Sequence, residues 1–543
     1  MKKYLNEKLE AALKLLGYFG SAALTFEHPK NPEHGDFTTN IAMMISKQLK
    51  KNPRQVASEI INALNVDSSF VDKIDIAGPG FLNFHFTPKF FSYRLHEILK
   101  AGGEYGRVRL GEGKKTQVEF VSANPTGLLH LGHGRQAAIG DTISNILTWA
   151  GYRVTREYYF NNAGRQMRML ADSVYARYMQ IFDESFPMPE DGYMGGYIKE
   201  IAQKIFNEKK DSLKGVEDKT YFKEYAEAFL FKKIKETLNK IGVKFDVFFN
   251  EDSLYSSGAI NEVIEEFRKK GLAYDLDGAV WFKTTALGLD QDRVIVKSTG
   301  EPTYRLPDIA YHRNKFMRGF ELIVDIFGSD HVATVPDVLA GIKALGYDQS
   351  KVRVLIHQFV TLTRGGEQVK MSKRTADVVT LDDLIEEVGK DVVRYFLVMR
   401  SVSSHLEFDL ELAKEQSDKN PVYYLQYAHA RIASILRFAE SEGADVTGSP
   451  DLSLLQHESE VSLMKMLIDF PNVILLCAVM LEPHHLCDYL HDVATEFHQF
   501  YHHCRVVTEN KEVSKARLAL SLATKTVLAN GLGILGITAP EKM

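Results

Sequence analysis

The stretch Val118 to Arg135, VEFVSANPTGLLHLGHGR, constrains the fold more than any other part of this chain. Residues 116–122 alternate apolar and polar side chains as a strand does, and the Asn-Pro-Thr-Gly turn that follows interrupts regular structure. From His133, apolar residues recur on one helical face as far as Ala150, and Gly151 follows where a left-handed cap would end that helix. A strand, a Gly-rich turn and a helix in this order are typical of doubly wound parallel sheets that bind nucleotides.

Two histidines, His130 and His133, lie three residues apart where this helix begins. Their spacing directs both imidazoles toward one region, where they can donate hydrogen bonds to phosphate oxygens as charge builds up. Gly132 lacks a side chain, so a flat base could lie directly on the backbone there. An isolated pair of this kind is more often a pair of surface or packing histidines beside a turn.

A second motif lies about 240 residues downstream, after the strand-like Val352 to Ile356 and the pair Gly365-Gly366. It reads Lys370-Met371-Ser372-Lys373-Arg374. Three cations on a Gly-flanked loop favour a mobile clamp for a polyphosphate, because lysine is a compact charge that can follow a moving group. The alternative for this segment alone is a solvated basic loop. Together, H-L-G-H and K-M-S-K resemble the paired signature of class I aminoacyl-tRNA synthetases.

The flanking residues make the resemblance more specific. The motif E-F-V-S-A-N-P-T-G-x-L-H-x-G-H-x-R, the segment Tyr158 to Gln166, and the segments His34 to Phe37, Gly78 to Phe84 and Asn530 to Gly533 resemble arginyl-tRNA synthetases nearly end to end. The resemblance implies a multidomain fold with an α/β N-terminal additional domain, a Rossmann-like doubly wound parallel-sheet catalytic domain with a helical insertion, and an all-α anticodon-binding domain.

The same resemblance implies the reaction. An arginine–tRNA ligase activates L-arginine with ATP to arginyl-adenylate and transfers the arginyl group to the 3′-terminal ribose of tRNA(Arg), forming AMP and diphosphate. Mg²⁺ is expected with ATP, and no metal site formed by the protein is predicted. The sequence departs from the family pattern at Lys370, because many enzymes of this family lack a lysine at that position. The resemblance therefore does not establish that activation of arginine depends strictly on bound tRNA.

Length and composition limit the class of protein. A chain of 543 residues is long enough for about three or four domains. Residues 1–20 carry charges throughout and lack the apolar block of a signal peptide, and the longest apolar run, Val473 to Leu481, has nine residues. Three cysteines without a C-x-x-C pair, Cys477, Cys487 and Cys504, favour a reducing compartment. We therefore expect a cytoplasmic protein without membrane association. The absence of a sustained heptad pattern, together with the family resemblance, predicts a monomer.

The net charge of −5 gives no general attraction to nucleic acid. Residues 421–543 hold 9 Lys and Arg against 14 Asp and Glu, while the remainder balances at 57 against 57. Binding of tRNA therefore requires local basic patches.

Four parts are predicted along the chain. Residues 1–110 form a small α/β domain with a hairpin of Ile74–Ile76 and Phe81–Phe86, and residues 101–115 are a Gly-rich linker. Residues 116–375 form the catalytic domain, with a helical insertion from about 158 to 248. Residues 376–420 are a helical connection, and residues 421–543 form the helical anticodon-binding domain. At roughly 90 residues, the insertion is too short for a large editing domain. Editing is not needed, because a guanidinium pocket can reject lysine by leaving its own buried carboxylate hydrogen bonds unpaired.

The resemblance also implies a role for each residue of the arginine site. Asp308, with Tyr304 and Glu251, would bind the guanidinium, since a carboxylate pairs with its planar fork through two hydrogen bonds. The α-amino and α-carboxyl end would be bound by Glu119, Ser122, Asn124, His130 and His331. Each of these side chains could instead be an ordinary polar residue at a strand end or surface.

ATP is expected to bind at the two signature motifs and at the strand end that follows Phe327. The residues are His130, Gly132, His133, Asp330, Lys370, Met371, Ser372 and Lys373, of which His130, His133, Lys370 and Lys373 are the catalytic candidates. The roles of Asp330, for ribose hydroxyls, and His331, for the substrate amino group, are not ranked.

Contacts with tRNA are predicted at both ends of the chain. Phe81 and Asn83 could stack on and hydrogen-bond an unpaired base of the D-loop, although Asn83 could equally complete a strand. At the other end the candidates are Tyr423, Tyr427, Arg431, Arg505, Lys511, Lys515 and Arg517, and core packing is an equal alternative for the tyrosines. The His- and Cys-rich segment 484–504 has no standard zinc spacing, so it predicts helix packing rather than a metal site.

Two other functions are consistent with parts of this pattern. A class I enzyme for cysteine or methionine would share the signature motifs, but its zinc ligands are missing and the acidic pocket does not suit it. A catalytically silent tRNA-binding protein has no need of His130, His133, Lys370 and Lys373.

Overall fold

The computed structural model describes residues 2–18, 24–27, 29, 31–369, 379–443 and 450–543. At the N-terminus, helices pack on a three-stranded antiparallel sheet of order β1-β3-β2. The elements are α1 Lys2–Leu15, β1 Phe37–Thr39, α2 Ile41–Leu49, α3 Pro53–Ala63, β2 Val71–Ala77, β3 Phe81–Phe86 and α4 Pro88–Ala101. The predicted hairpin is confirmed, with Ala77 paired to Phe81. Asn52 and Thr87 cap α3 and α4, each followed by a proline whose missing N–H is not needed there.

The central part of the chain alternates strands and helices. Its elements are β4 Lys115–Glu119, α5 Leu131–Trp149, β5 Arg153–Phe160, α6 Gly164–Met179, α7 Gly196–Lys209, α8 Thr220–Lys240, β6 Val247–Asn250, α9 Asp252–Ser256, α10 Ala259–Lys269, β7 Ala273–Leu276, β8 Ala279–Phe282, β9 Arg293–Val296, α11 Arg305–Met317, β10 Leu322–Gly328, α12 Val335–Ala344 and β11 Val352–His357. The predicted helical insertion corresponds to α6, α7 and α8, which share an apolar core of their own.

Five of these strands form the parallel sheet that positions the site. Its order is β11-β10-β4-β5-β6, so strands that follow β5 in the chain lie on both sides of β4. After β4 the chain adds β5 and β6 on one side of that strand, and it then adds β10 and β11 on the other side. The strand order therefore reverses between β4 and β10, while all five strands stay parallel. In doubly wound sheets ligands bind at the carboxyl ends of the strands at this point.

After the parallel sheet, the chain forms a further three-stranded sheet, and one of its strands corrects an expectation. The elements are β12 Val360–Arg364, β13 Glu367–Gln368, α13 Leu381–Val388, α14 Lys390–Val398, β14 Leu406–Asp409 and α15 Leu410–Lys414. Residues 376–420 were predicted to be helical, but β14 pairs in parallel with β12. Leu406 and Phe408 are buried and Glu407 is exposed, a two-residue alternation too short to recognise within a helical sequence pattern.

The C-terminal part is helical, as predicted. It contains α16 Pro421–Ser441, α17 Glu458–Ile468, α18 Phe470–Met480, α19 His484–His503 and α20 Lys511–Leu535. By length and composition, the stretches 458–480 and 511–535 could each cross a membrane, although the longest uninterrupted apolar run in the sequence is the nine residues 473–481. The first stretch is divided between α17 and α18 at Asp469. α20 packs against α16 and α19, which explains its apolar composition.

The predicted linker is docked rather than extended. The hydroxyl of Tyr105 donates to the carbonyl oxygens of Leu467 and Ile468, each at 3.3 Å. The side-chain amide of Asn530 donates to the carbonyl oxygens of Gly102 and Tyr105. The segment between α4 and β4 therefore holds the C-terminal helices against the rest of the molecule.

A buried arginine joins three parts of the structure. Arg394 on α14 is 1% exposed and donates to the Asp141 carboxylate of α5 at 2.6 Å. It also donates to the carbonyl oxygens of Ile241, after α8, and Leu535, at the end of α20. The helix that begins at the two histidines is thus fixed to both the insertion and the C-terminal helices.

Candidate active site

The turn after β4 has unusual backbone geometry. Val121 and Ser122 have φ of 67° and 43°, and the Ser122 amide donates to the Phe120 carbonyl two residues back at 2.9 Å. A positive φ at a β-branched residue inside an i to i+2 hydrogen bond is the strained form of γ-turn. Its effect is to direct the Ser122 hydroxyl back to the Glu119 carboxylate at 3.0 Å. Such strain tends to occur at functional sites.

Asn124 lies just beyond this turn and fixes its position relative to the next strand. Its amide oxygen accepts from the Asn161 backbone at 2.9 Å, and its amide nitrogen donates to Gln166 at 2.9 Å. The Asn-Pro-Thr-Gly segment is thereby tied to the residues that follow β5.

The two histidines form the N-terminal cap of α5. Nδ1 of His130 accepts from the Gly132 amide and Nδ1 of His133 accepts from the His130 amide, each at 3.2 Å, and the rings stack with centroids 3.8 Å apart. The prediction that both imidazoles point to one region is confirmed. Because Nδ1 accepts in both rings, the proton of each neutral ring lies on Nε2.

The residues that follow the K-M-S-K segment contact the turn that contains the two histidines. Thr380 forms an isolated antiparallel bridge with His130, and the Leu381 amide donates to the Leu129 carbonyl at 2.9 Å. Lys370, Met371, Ser372 and Lys373 lie outside the described residues. The start of α13 is therefore anchored beside the two histidines, just after the segment that contains the motif.

Three buried carboxylates lie side by side on the central strands. Asp325 of β10 is paired with Glu119 of β4, and Glu119 with Glu157 of β5, in the parallel register. Their exposed fractions are 0%, 3% and 0%. Buried charges require partners, because an isolated carboxylate is costly to remove from water.

All the cationic partners come from α11 and the residue after it. Lys315, fully buried, donates to Glu119 and Asp325, each at 2.6 Å. Arg318 donates to both oxygens of Glu157, at 2.6 and 2.7 Å. Sequence analysis missed this network, although polar residues recur at helical spacing along α11 and acids recur on the strands.

A histidine links this network to the predicted guanidinium site. Nε2 of His312 lies 2.8 Å from the Asp325 carboxylate, and Nδ1 lies 2.7 Å from the Asp308 carbonyl oxygen. Both ring nitrogens face acceptors, which the doubly protonated imidazolium satisfies. Burial by itself would raise the pKa of Asp325, but Lys315 and His312 outweigh burial and lower that pKa below its ordinary value.

The predicted acids of the arginine site do come together. Asp308, in the first turn of α11, is partly accessible, and burial raises its pKa to about 7. The nearby carboxylates of Glu119 and Glu251 raise that pKa further, whereas His312 opposes the rise. The carboxyls of Glu119, Glu251 and Asp308 are therefore close enough to interact, and we call the region between them the recess. Three acids in this position suit a cationic ligand.

Glu251 is held by neutral donors. The hydroxyl of Tyr159 and the side-chain amide of Asn161 donate to its two oxygens at 2.7 and 2.8 Å, and Tyr255 donates at 3.3 Å. None of these three donors carries a charge. Tyr304, predicted to lie beside Asp308, is 81% exposed at the start of α11.

Asp330 and His331 lie where predicted, after the carboxyl end of β10. Their side chains are 78% and 54% exposed, and the His331 ring stacks on Phe327 at 5.2 Å. Both therefore face a ligand-accessible edge of the sheet rather than the core.

The predicted tRNA-contacting residues fall into two groups. Tyr423 and Tyr427 stack at 7° between ring planes on α16, and Arg431 lies over the Tyr501 ring at 5.0 Å. Tyr427 is 40% exposed, so surface exposure rather than core packing describes it. Arg505 and Lys511 are exposed, and Lys515 pairs with Glu512.

The remaining predicted contacts are less accessible. Arg517 donates to the buried Glu460 at 2.6 Å, which favours a structural role for Arg517. Asn83 is 3% exposed in the central strand of its sheet, while Phe81 at the strand end is partly accessible. In the His-rich segment, His484, His485 and Asp488 have potential ligand atoms within 4.8 Å of one another.

Three family models match the chain in order. The arginyl tRNA synthetase N terminal domain matches residues 2–86, the class I (R) tRNA synthetase catalytic domain residues 94–399, and the DALR anticodon binding domain residues 425–543. The arginine–tRNA ligase of Desulfotalea psychrophila is 52% identical over 527 residues, or 96% of this chain and 95% of its own. The chain belongs to the arginyl-tRNA synthetase family.

Other arginyl-tRNA synthetases agree with this placement. The enzyme of Salinibacter ruber is 48% identical over 562 residues, covering 100% of both chains. The structures from Thermus thermophilus and Plasmodium falciparum, only 23% and 18% identical, share the fold with TM-scores of 0.78 and 0.75, each over 100% of this chain. As an arginyl-tRNA synthetase, this enzyme is an ATP-using class I ligase that charges tRNA with arginine for protein synthesis.

Proposed function

We propose that this arginyl-tRNA synthetase binds L-arginine in the recess lined by Glu119, Glu251 and Asp308. The supporting observation is that these three carboxyls, from separate parts of the chain, are close enough for Glu119, at the end of β4, and Glu251, directly after β6, to raise the pKa of Asp308. Asp308 and Glu251, with the hydroxyl of Tyr304, take the guanidinium. Glu119, Ser122, Asn124, His130 and His331 hold the α-amino and α-carboxyl end.

ATP lies over the start of α5. Gly132 provides a flat surface for the base, Asp330 binds ribose hydroxyls, and the segment Lys370 to Lys373 holds the β- and γ-phosphates. The arginine carboxylate attacks the α-phosphorus in line, so that a new phosphorus–oxygen bond forms as the bond to diphosphate breaks. Donors on His130 and His133 stabilise the negative charge that develops on the α-phosphoryl oxygens. Mg²⁺ accompanies the ATP phosphates, and no protein side chain is assigned to a metal.

The second step needs no enzyme nucleophile. The 2′-hydroxyl of the terminal ribose of tRNA(Arg) attacks the arginyl carbonyl carbon and loses its proton. The bond from that carbon to the bridging oxygen breaks, and AMP leaves with this oxygen, which came from the arginine carboxylate. The site supplies positioning rather than covalent catalysis. We assign tRNA contacts to Phe81 and Asn83 at the D-loop and to Tyr423, Tyr427, Arg431, Arg505, Lys511 and Lys515 at the anticodon.

The organisation proposed from the sequence completes this picture. An additional domain lies at 1–110, the catalytic domain at 116–375, a connection at 376–420 and the anticodon-binding domain at 421–543. We propose that the enzyme acts as a monomer in the cytoplasm, without membrane association.

Amino-acid-dependent exchange of radiolabelled diphosphate into ATP, with tRNA present and each of the twenty amino acids tested separately, examines this assignment. Arginine alone should support exchange and charging. Exchange with cysteine or methionine, or none with arginine, would contradict it. Lys373→Ala should abolish exchange while tRNA binding survives, and full aminoacylation by that variant would remove the clamp from the mechanism.

A further inference from the structure

Glu119 is the only one of the three recess acids for which the structure shows a buried cation bound directly to the carboxylate, among the described residues. Lys315 donates to Glu119 Oε2 and to Asp325 Oδ1, each at 2.6 Å. The other Glu119 oxygen accepts from the Ser122 hydroxyl at 3.0 Å. Each carboxylate oxygen has two acceptor sites, so both still have capacity for a donor from the substrate.

We propose that Lys315 is a positioning residue for arginine activation, whose ammonium keeps Glu119 ionised and oriented toward the α-amino group of arginine. This inference rests on the proposed role of Glu119 in binding that amino group. Lys315 is 0% exposed and lies behind Glu119 within the network, so it acts through the carboxylate rather than on the substrate.

The electrostatic surroundings of Glu119 explain why such a residue is needed. Burial raises the pKa of the Glu119 carboxyl, and the Lys315 ammonium opposes that rise. The groups around this carboxylate are Asp308, Tyr311, His312 and Lys315 on α11, Asp325 on β10, Glu157 and Tyr159 on β5, and Ser122 in the strained turn. Three of them are carboxyls, which favour protonation of Glu119. His312 supplies positive charge, but its ring is bonded to Asp325 and to the Asp308 backbone. Lys315 is thus the cation in direct contact with Glu119.

The role of Lys315 is separable from general packing by comparing two ligands. Arginine has both a guanidinium and an α-amino group, whereas 5-guanidinopentanoate is the same molecule without the amino group. The titration of Asp308 affects the two ligands equally, since both carry the guanidinium. The ratio of their affinities therefore reports the groups that contact the amino group, and among these Lys315→Gln changes the surroundings of Glu119.

The test is the inhibition constant of 5-guanidinopentanoate against the KM of arginine in diphosphate exchange, between about pH 6 and pH 8. In Lys315→Gln, which keeps a hydrogen-bond donor without charge, the Glu119 pKa should rise. Below that raised pKa the preference for arginine should fall by about tenfold for each pH unit, and it should recover as the pH increases. In the unmodified enzyme the preference should change less over the same range, because the Lys315 ammonium opposes protonation of Glu119. Lys315→Arg, which keeps the charge, should restore the preference.

Arg313→Gln is the matched control, because Arg313 lies on the same helix as Lys315 but pairs with Glu262, outside the network around Glu119. It should leave the ratio unchanged. Asp325→Asn should act in the opposite direction to Lys315→Gln, because it leaves the ammonium to Glu119 alone. Asp325→Asn keeps Lys315 paired with Glu119, so it provides a second test of the proposal if Lys315→Gln does not fold.

A ratio in Lys315→Gln that matches the unmodified enzyme at every pH would overturn the proposal. So would an equal loss in Arg313→Gln, or a loss of preference in Asp325→Asn. Glu119→Gln tests the underlying assignment separately. If that variant keeps the preference for arginine, the role of Glu119 fails, whatever Lys315 does.

Discussion

The parallel sheet beneath the recess and the C-terminal helices differ in the side chains that they bury. Beneath the recess, Asp325, Glu119 and Glu157 are buried on adjacent strands and each is paired with a residue of α11 or Arg318. In the helices α16 to α20 the core is mainly apolar, although the buried Glu460 is paired with Arg517, and aromatic and cationic side chains lie on the surface.

The difference concerns what each region recognises. Replacing a buried ion pair by apolar groups is often neutral or stabilising, so such pairs are weak evidence of a contribution to stability. Under the recess they instead place defined charges where a small cationic substrate is expected to bind. The C-terminal surface presents stacking planes, which suit unpaired bases and tolerate substitution. Substitutions in the first region should therefore affect arginine, and those in the second tRNA.

Asp308→Asn should have the largest effect. It removes the negative partner of the substrate guanidinium, and losing one member of a buried charge pair costs about 2 to 5 kcal/mol. We expect kcat/KM for arginine in diphosphate exchange to fall by about three orders of magnitude, within the range that this cost implies. Glu262→Gln, which removes an exposed carboxylate paired with Arg313 on the other side of α11, should change it by less than about twofold. Near-normal activity of Asp308→Asn would contradict the assignment of arginine binding to the region of the parallel sheet.

His130→Asn separates helix capping from catalysis. Asparagine can still accept from the Gly132 amide as an N-cap residue, but it has no Nε2–H donor for a phosphoryl oxygen. We expect kcat for activation to fall by about 100- to 1,000-fold, with the free energy of unfolding changed by less than about 0.5 kcal/mol. Pre-steady-state adenylate formation and chemical denaturation measure the two quantities. A stability loss without a rate loss would mean that the histidine is only a cap.

The pH dependence of arginine use should differ from that of tRNA use. Asp308 has a pKa of about 7, raised by burial, so below that pH it is protonated and cannot pair with the guanidinium. The value of kcat/KM for arginine reports the free enzyme, and it should decrease by roughly tenfold per unit as the pH falls below about 7. The KM for tRNA should not follow this titration. Steady-state aminoacylation between about pH 5.5 and pH 8.5 measures both parameters. A value of kcat/KM for arginine that does not change with pH would be inconsistent with the surroundings of Asp308.

Tyr427→Ala should have the smallest effect. Stacking of a base on an aromatic side chain contributes about 1 to 3 kcal/mol. The low end applies because Tyr427 already stacks on Tyr423 in the free protein. We expect the KM for tRNA to rise by about fivefold while the KM for arginine is unchanged. Tyr427→Phe keeps the ring and should behave like the unmodified enzyme, so an equal defect in both variants would argue for the hydroxyl instead of stacking.

The sequence by itself determined the local elements and the motifs they carry. The strand, turn and helix around His130 and His133 follow from periodicity and from glycine and proline positions, which depend on neighbours a few residues apart. The hairpin of β2 and β3 and the helical C-terminal part follow in the same way. Resemblance then placed Glu119, Glu251 and Asp308 in one site, and the structure brings them together.

Only the tertiary structure decided which distant side chains become neighbours. Asp325 and Glu119 are 206 positions apart, and they adjoin because β10 pairs with β4 in one particular register. The same holds for Lys315 between them, for β14 beside β12, and for the docked segment around Tyr105. Strand order and register depend on how long crossovers pack over the whole sheet, and no local pattern of residue types encodes that packing.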